Sequence, residues 1–399
     1  MTTLSPRFDR AAIETQILAI ARDLLHELGD TSGAGAVCSS SIIDRDLGLG
    51  SIERVELLSR IERTFGISLP ENAVSDAVTL GDIVSGIARA AAGEGASIEQ
   101  HFDSYPRAEG NSNARDFIFG VPASQTPRNA DTFRRDGEPR GFRRIFEMLY
   151  GVFAATVFLL WLVFTWLIVL AMPPGSRAAR ITSKALQLYF RVIGCRITVD
   201  GREHLDAYGS CIYVSNHTSY SDVLVVMAVV HTDYRFVAKS EINDMPFIGT
   251  FLRKLGHFAF ERGKLRARSR QAEQMGKALL RGESLFVFAE GTFTAEPGVR
   301  PFQLGAFRAA VKTGRPIVPV ALRGTRYLLQ DGTFLPKPSR ITVTVSPALF
   351  ANLTPEGGEW TEVLRLRDET RRIISSHSGE PLLSRPEGPP QPPDNPSSA

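Results

Sequence analysis

Residues 148–172 form a run of 25 without a single charge, including Phe153, Phe158, Leu159, Leu160, Trp161, Leu162, Val163, Phe164, Trp166 and Leu167. That is long enough to cross a hydrocarbon layer as a helix, and a helix buried in a globular core seldom stays uncharged for so long. The run is internal, so it does not read as a cleaved leader. Arg143 and Arg144 precede it while Arg177 and Arg180 follow, so the basic flanks set no orientation. Pro173, Pro174 and Gly175 then mark a sharp turn. Residues 181–193, with Leu186, Leu188, Tyr189, Phe190 and Val192, have the spacing of an amphipathic helix lying in a membrane interface. Two arrangements stay open, a single crossing or a hairpin dipping into one leaflet. Only the hairpin keeps everything before and after it in one compartment.

At 399 residues the chain has room for two or more domains around this element. Cys38, Cys195 and Cys211 form no CxxC pair and no cluster with nearby histidines, so neither a disulfide framework nor a metal site is suggested. The net charge of +3 is unevenly spread: residues 1–92 hold 13 Asp and Glu against 8 Arg and no Lys, leaving a basic remainder. The split suits contact between the two parts, or of the basic part with anionic lipid, while solvated charge is the plain alternative. Nucleic acid is not expected as a partner, because the basic residues are not interleaved with aromatics.

The acidic part opens on a helical repeat, Ile13, Ile17, Ile20, Leu24 and Leu28, closed by Gly29 and Asp30. A second helix is expected to begin at Ser51, with Val55, Leu58, Ile61 and Phe65 on one face, and a last one carries Leu80, Ile83, Val84 and Ile87. A serine at a helix start is ordinarily an N-cap. Here it follows the turn Gly48, Leu49, Gly50 and heads an acidic amphipathic helix. On these residues the region resembles the acyl carrier protein family, with Gly50, Ser51 and Ile52 where that family usually has Asp-Ser-Leu. The resemblance implies a small four-helix domain and a 4′-phosphopantetheine arm on Ser51. A bare helical module is the other reading.

Residues 93–140 lack apolar periodicity and are rich in Gly, Ser, Asn, Arg and Pro, as a tether would be. From residue 196 onward short apolar runs at 196–199, 212–215, 235–238, 284–288, 317–322 and 341–345 alternate with helical patterns at 219–230, 266–281 and 303–313, which predicts an α/β layer fold. The Pro- and Ser-rich tail from Glu380 is expected to be disordered.

Within that region stands the stretch NHTSYSD, residues 216–222, directly after an apolar run. A strand ending near Asn216 and a helix starting near Ser219 would place the His217 imidazole in the loop and bring the Asp222 carboxylate back onto it. That geometry suits a general base: one ring nitrogen takes a hydroxyl proton while the carboxylate holds the other. Alone the spacing is weak, since His231 and Asp233 form a comparable pair.

Three further blocks follow in order: GHFAFER at 256–262, FAEGT at 288–292 and PIVPV at 316–320. Together with NHTSYSD they resemble the glycerolipid acyltransferase family, the group containing 1-acylglycerol-3-phosphate acyltransferases. The resemblance implies His217 as general base, Asp222 as its partner, Glu290, Gly291 and Thr292 in acceptor binding, Arg262 on the acceptor phosphate, and Pro319 on the acyl-chain side. In the third block Ala289 stands where that family usually has Pro, and Phe293 where it has Arg. Plain alternatives exist for each: Glu290 as a turn cap, Arg262 paired with Glu261, and Arg262, Lys264, Arg266, Arg268 and Arg270 as a solvated face rather than a lipid-phosphate contact.

The expected protein is therefore multidomain. A carrier occupies 1–92, a flexible linker 93–142, a membrane-associated helical hairpin 143–195, an α/β acyltransferase domain 196–378 and a disordered tail 379–399. The resemblances imply a membrane-bound O-acyltransferase moving a fatty acyl group from a carrier thioester to a lysophospholipid hydroxyl, on the cytoplasmic face of a membrane such as a bacterial inner membrane. A different acceptor, such as an amino lipid, or a tethered carrier scaffold with a non-catalytic partner domain, remain alternatives. A phosphopantetheinyl transferase, an acyl-loading ligase of the AMP-forming type and a lysolipid acceptor are the implied partners.

Overall fold

The computed structural model describes residues 10–43, 46–47, 49, 51–67, 77, 79–91, 142–230, 234–239, 245, 247–260, 265–291, 296–330, 332–352 and 358–383. They fall into two compact units, a small N-terminal one and a larger one holding the described residues of 142–262 and 271–383.

In the small unit the described helices are α1 (Arg10–Glu27), α2 (Thr31–Gly35), α3 (Ser51–Phe65) and α4 (Leu80–Ala91). Of the predicted repeat, Ile13, Ile17 and Leu24 on α1 and Leu28 just past it are buried, with Ala21 and Leu25 filling the gaps, while Ile20 is only half-buried. α3 contributes Leu57, Leu58 and Ile61 to the same interior, and α4 contributes Leu80, Ile83, Val84 and Ile87. Arg60 on α3 forks onto Glu27 of α1 at 2.9 and 2.7 Å and also meets Glu56 at 2.9 Å, fixing one helix against the other. α3 begins at Ser51, as the sequence predicts.

The larger unit opens with α5 (Phe142–Ala171) and α6 (Ser176–Val192). α5 begins six residues before the uncharged run, so Arg143 and Arg144 lie in its first turn, and Arg143 pairs with Glu147 at 3.1 Å. Its 30 residues span ~45 Å. It is the one helix among the described residues long and apolar enough to cross a membrane. Most of its large apolar side chains are exposed, Phe142 at 84% and Phe164 at 70%. The inner face does pack: Phe158 and Trp161 stack at 5.4 Å, and Phe158 meets Tyr189 of α6 at 5.5 Å. Gly151 lets α5 approach closely, because a Cβ there would lie 2.8 Å from Leu335 Cβ. At its C-terminus Lys254 Nζ donates to Leu170 O and Met172 O at 3.1 and 2.7 Å, a cation where the helix carbonyls are unpaired.

A seven-stranded sheet follows, in the order β1-β7-β6-β2-β5-β3-β4. The strands are β1 (Arg196–Asp200), β2 (Ile212–Ser215), β3 (Tyr234–Lys239), β4 (Phe258–Phe260), β5 (Ser284–Phe288), β6 (Ile317–Arg323) and β7 (Arg340–Val345). All neighbours run parallel except β6 and β7. The centre is covered on both faces, so β2 is wholly buried and six of the seven residues of β6 are, while edge strand β1 has no buried residue. The helices are α7 (Ser221–Val229), α8 (Ile248–Leu255), α9 (Leu265–Leu280), α10 (Gly305–Thr313), the short α11 (Thr325–Leu328) and α12 (Glu359–Ser378). α6 lies on α7, where Gln187 donates to Ala228 O at 2.8 Å, and one core joins Ala154, Leu186, Tyr213, Val225, Phe286 and Val318.

The expected disordered tail needs one correction. Residues 379–383 are bonded to the α/β unit: Arg326 forks onto Glu380 at 2.7 and 2.9 Å, and Leu382 bridges Val299. A carboxylate with an arginine partner and a strand edge to join outweighs a Pro- and Ser-rich composition. Residues 384–399 and the expected linker 93–142, apart from Phe142 which opens α5, lie outside the described residues.

Candidate active site

Strand register brings the site together. Ser215, the last residue of β2, pairs with Phe288, the last of β5, and with Val320 of β6. The loops that leave β2 and β5 therefore start at one level, where open α/β sheets place their sites. Asn216 extends the sheet by its side chain: Oδ1 accepts from Leu322 N at 2.8 Å and Nδ2 donates to Leu322 O at 2.9 Å. Both groups sit in the fully buried centre, where leaving a backbone pair unmade costs about 1–3 kcal/mol. The main chain is thus freed to turn at Asn216.

His217 follows. Its Nδ1 lies 2.9 Å from Asp222 Oδ2, and the same oxygen accepts from Thr218 N at 2.6 Å and Ser219 N at 2.9 Å. A carboxylate only accepts, so Nδ1 carries the proton and the basic lone pair sits on Nε2. Asp222 is fully buried in the first turn of α7, a position that helix N–H groups favour for an anion. Phe288 stacks on the imidazole at 4.2 Å between ring centres and limits its rotation. Below the loop, Thr218 Oγ1 and Thr325 Oγ1 are 2.9 Å apart, and Ser219 Oγ donates to Leu329 O at 2.7 Å. The loop after β6 is thereby a floor for the loop after β2.

Glu290, just beyond β5, spans two loops. Its Oε1 accepts from His217 N at 2.9 Å and its Oε2 from Arg300 N at 3.0 Å. Burial pushes the carboxyl up to about 7, against the opposing pull of those two N–H donors and of the Arg300 charge. The following Gly291 has φ 73°, a left-handed backbone conformation that favours glycine. Pro319 lies inside β6 opposite Val214, not in the loops. Its carbonyl accepts from Ser346 N at 2.9 Å on the β7 side, one residue before the paired ladder begins at Val320.

His217, Asp222 and Glu290 are thus brought together, with Gly291 adjoining them. Arg262, Thr292 and Phe293 lie outside the described residues. Ser51 belongs to the other unit and opens α3, and the N–H groups of a helix N-terminus favour an anion such as a phosphodiester. Sequence reasoning gave Asn216, Thr325 and Arg300 no role. Asn216 stood inside the quoted motif, but its contact depends on β2 and β6 being neighbours; nothing in the local sequence marks the other two.

Comparison with known proteins finds that residues 196–323 match the acyltransferase family model and residues 39–87 the phosphopantetheine attachment site model. The chloroplastic 1-acyl-sn-glycerol-3-phosphate acyltransferase of Brassica napus is 32% identical over 136 residues, 34% of this chain and 39% of its own length. That of Escherichia coli K12 is 31% identical over 134 residues, 33% of this chain and 53% of its own. The Cocos nucifera enzyme of the same name is 29% identical over 277 residues, covering 66% of this chain and 85% of its own. The chain therefore spans about two-fifths to half the length of several of these relatives, the Cocos nucifera match being longer. The crystal structure of the 1-acyl-sn-glycerophosphate acyltransferase of Thermotoga maritima superposes with TM-score 0.48 at 21% identity, over 61% of this chain and all of that one.

Proposed function

We propose that this chain, which joins a phosphopantetheine attachment segment to an acyltransferase segment, transfers a fatty acyl group from its own carrier to the hydroxyl of a membrane lysophospholipid. The observation that carries the reading is the contact of His217 with a fully buried Asp222 at the end of a central strand. When attached to Ser51, 4′-phosphopantetheine presents the acyl chain as a thioester. His217 Nε2 takes the proton of the acceptor hydroxyl as the oxygen attacks the acyl carbonyl, and Asp222 stabilises the imidazolium that forms. His217 would then return that proton to the sulfur leaving group of the thioester, so that an ester bond forms as the C–S bond breaks and no proton is lost to solvent. Glu290 braces the loop from below by holding the His217 N–H. No acyl-enzyme is needed, since His217 acts on the acceptor itself.

Membrane association is part of the proposal and rests on the exposed apolar face of α5. The Pro173–Gly175 turn and the packing of α6 on α7 favour a hairpin in one leaflet, which leaves both units in one compartment, here read as the cytoplasmic face. A phosphopantetheinyl transferase and an acyl-loading ligase are then required partners. Phe293, in place of the arginine usual in the third block, favours an acceptor whose phosphate is gripped less fully there.

Two measurements test this. Intact mass after expression with a phosphopantetheinyl transferase should rise by one arm, and Ser51→Ala should abolish the gain; an unmodified wild-type chain would remove the carrier. His217→Ala should lower transfer from the loaded chain to lysophospholipid by at least about 10²-fold while loading persists. Unchanged turnover would refute the base assignment, and an acceptor panel containing lysophosphatidic acid and amino lipids decides the substrate.

A further inference from the structure

Arg371 lies on α12, outside the segments matched to known families. Its guanidinium donates from Nε to Arg300 O at 2.9 Å, from Nη2 to Val299 O at 2.7 Å, and from Nη2 to Leu383 O. The loop it grips is the one whose Arg300 N–H donates to Glu290 Oε2, and the other oxygen of Glu290 holds His217 N. One peptide and one carboxylate therefore separate Arg371 from the backbone of the His217 loop.

The same loop is clamped from its other end. Glu380, held by the Arg326 fork, accepts from Gly298 N, while Val299 N donates to Pro381 O at 2.8 Å and Leu383 N to Val299 O at 3.0 Å. Docking of α12 does not require this arrangement, because Val363, Leu366 and Ile374 already supply a buried apolar face. An arginine spent on neutral carbonyls keeps its charge uncancelled by a contacting carboxylate. The charged groups that face Glu290 are Arg300 on the loop, Arg371 on α12 and Glu380 beyond it.

We propose that Arg371 is a positioning residue of the active site, holding the Val299–Arg300 peptide so that Glu290 stays aligned on the His217 loop. The inference rests on the role given to His217 above. It extends the working site to the C-terminal helix. Truncating the fork frees Arg300 N from Glu290, and the carboxylate loses both a hydrogen bond to its charged form and a nearby cation. Its titration should then move upward.

The test uses the full-length loaded chain and the variants Arg371→Gln, Arg371→Lys, Glu290→Gln and the double variant Arg371→Gln with Glu290→Gln. Arg371→Gln should lower kcat/KM about tenfold, and Arg371→Lys, which keeps the charge but not the fork, should recover part of it. In the Glu290→Gln background, Arg371→Gln should add less than about twofold, because both act on one contact. Infrared titration of the Glu290 carboxyl, identified by its loss in Glu290→Gln, should show a higher midpoint in folded Arg371→Gln than in wild type. Effects that multiply independently, together with an unmoved Glu290 midpoint, would make Arg371 a structural anchor only. If Arg371→Gln does not fold, Arg371→Lys supplies the same comparison, with a smaller shift expected and no shift refuting the proposal. The infrared arm needs no turnover, so it judges Arg371 even if the transfer reading fails.

Discussion

One oxygen of Asp222 accepts three donors while Oδ1, equally buried, has no hydrogen-bond partner among the described residues. The asymmetry predicts the behaviour of Asp222→Asn. The amide oxygen can take over all three bonds and keep the loop shape, but the amide nitrogen then occupies a dry position and the charge opposing the imidazolium is gone. Transfer should fall by about 10²–10⁴-fold with little change in acceptor KM, and stability by about 1–3 kcal/mol, measured by steady-state kinetics and chemical denaturation. A large KM effect instead would mean that Asp222 shapes the acceptor pocket. The His217 and Asp222 contact was legible in the sequence because the two lie only five residues apart. The brace from Glu290 was not, because it depends on Ser215 and Phe288 ending their strands side by side.

Among the elements, the central strands were readable from continuous apolar runs, since both faces of β2 and β6 are covered. α12 was not. Its inward face carries Glu362, Arg367 and Thr370 beside Val363, Leu366 and Ile374, and the polar members hide the helical period. β4, only three residues long, gives too short a pattern to read. The junction between β6 and α11 makes a sharp prediction. Gly324 has φ 93°, and a Cβ there would lie 2.2 Å from Arg340 O. Gly324→Ala should cost about 3 kcal/mol through this clash with backbone. It should also lower transfer in the molecules that still fold, because Thr325 next to it carries the Thr218 hydroxyl contact. Equilibrium denaturation and specific activity per folded molecule separate the two effects.

At the scale of the whole molecule, the buried Glu290 makes stability depend on pH. Its carboxyl titrates near 7 when folded against an ordinary value of 4.5, so the folded state holds its proton longer. The contribution is fully present below about pH 4.5 and is lost as pH rises through 7, amounting to about 3 kcal/mol at most. Wild type should therefore lose stability relative to Glu290→Gln between pH 5 and pH 8, read from the difference in their Tm; a constant difference would show that Glu290 titrates normally. The charge split and the motifs set an N-terminal module apart, but the hairpin and acyltransferase segments, read as separate, fall in one unit, and the anchoring of residues 379–383 depended on a partner, Arg326, far away in sequence. The long helix α5 has one further consequence. Gly151, Ala154, Phe158 and Trp161 seat it against the α/β unit while Phe153, Leu160 and Phe164 face outward, so the apolar surface belongs to the same unit as the His217 site. Under the membrane association proposed above, such an enzyme works in two dimensions. Its rate should follow the mole fraction of acceptor within the lipid, and diluting that acceptor with inert phospholipid at constant bulk concentration should slow it.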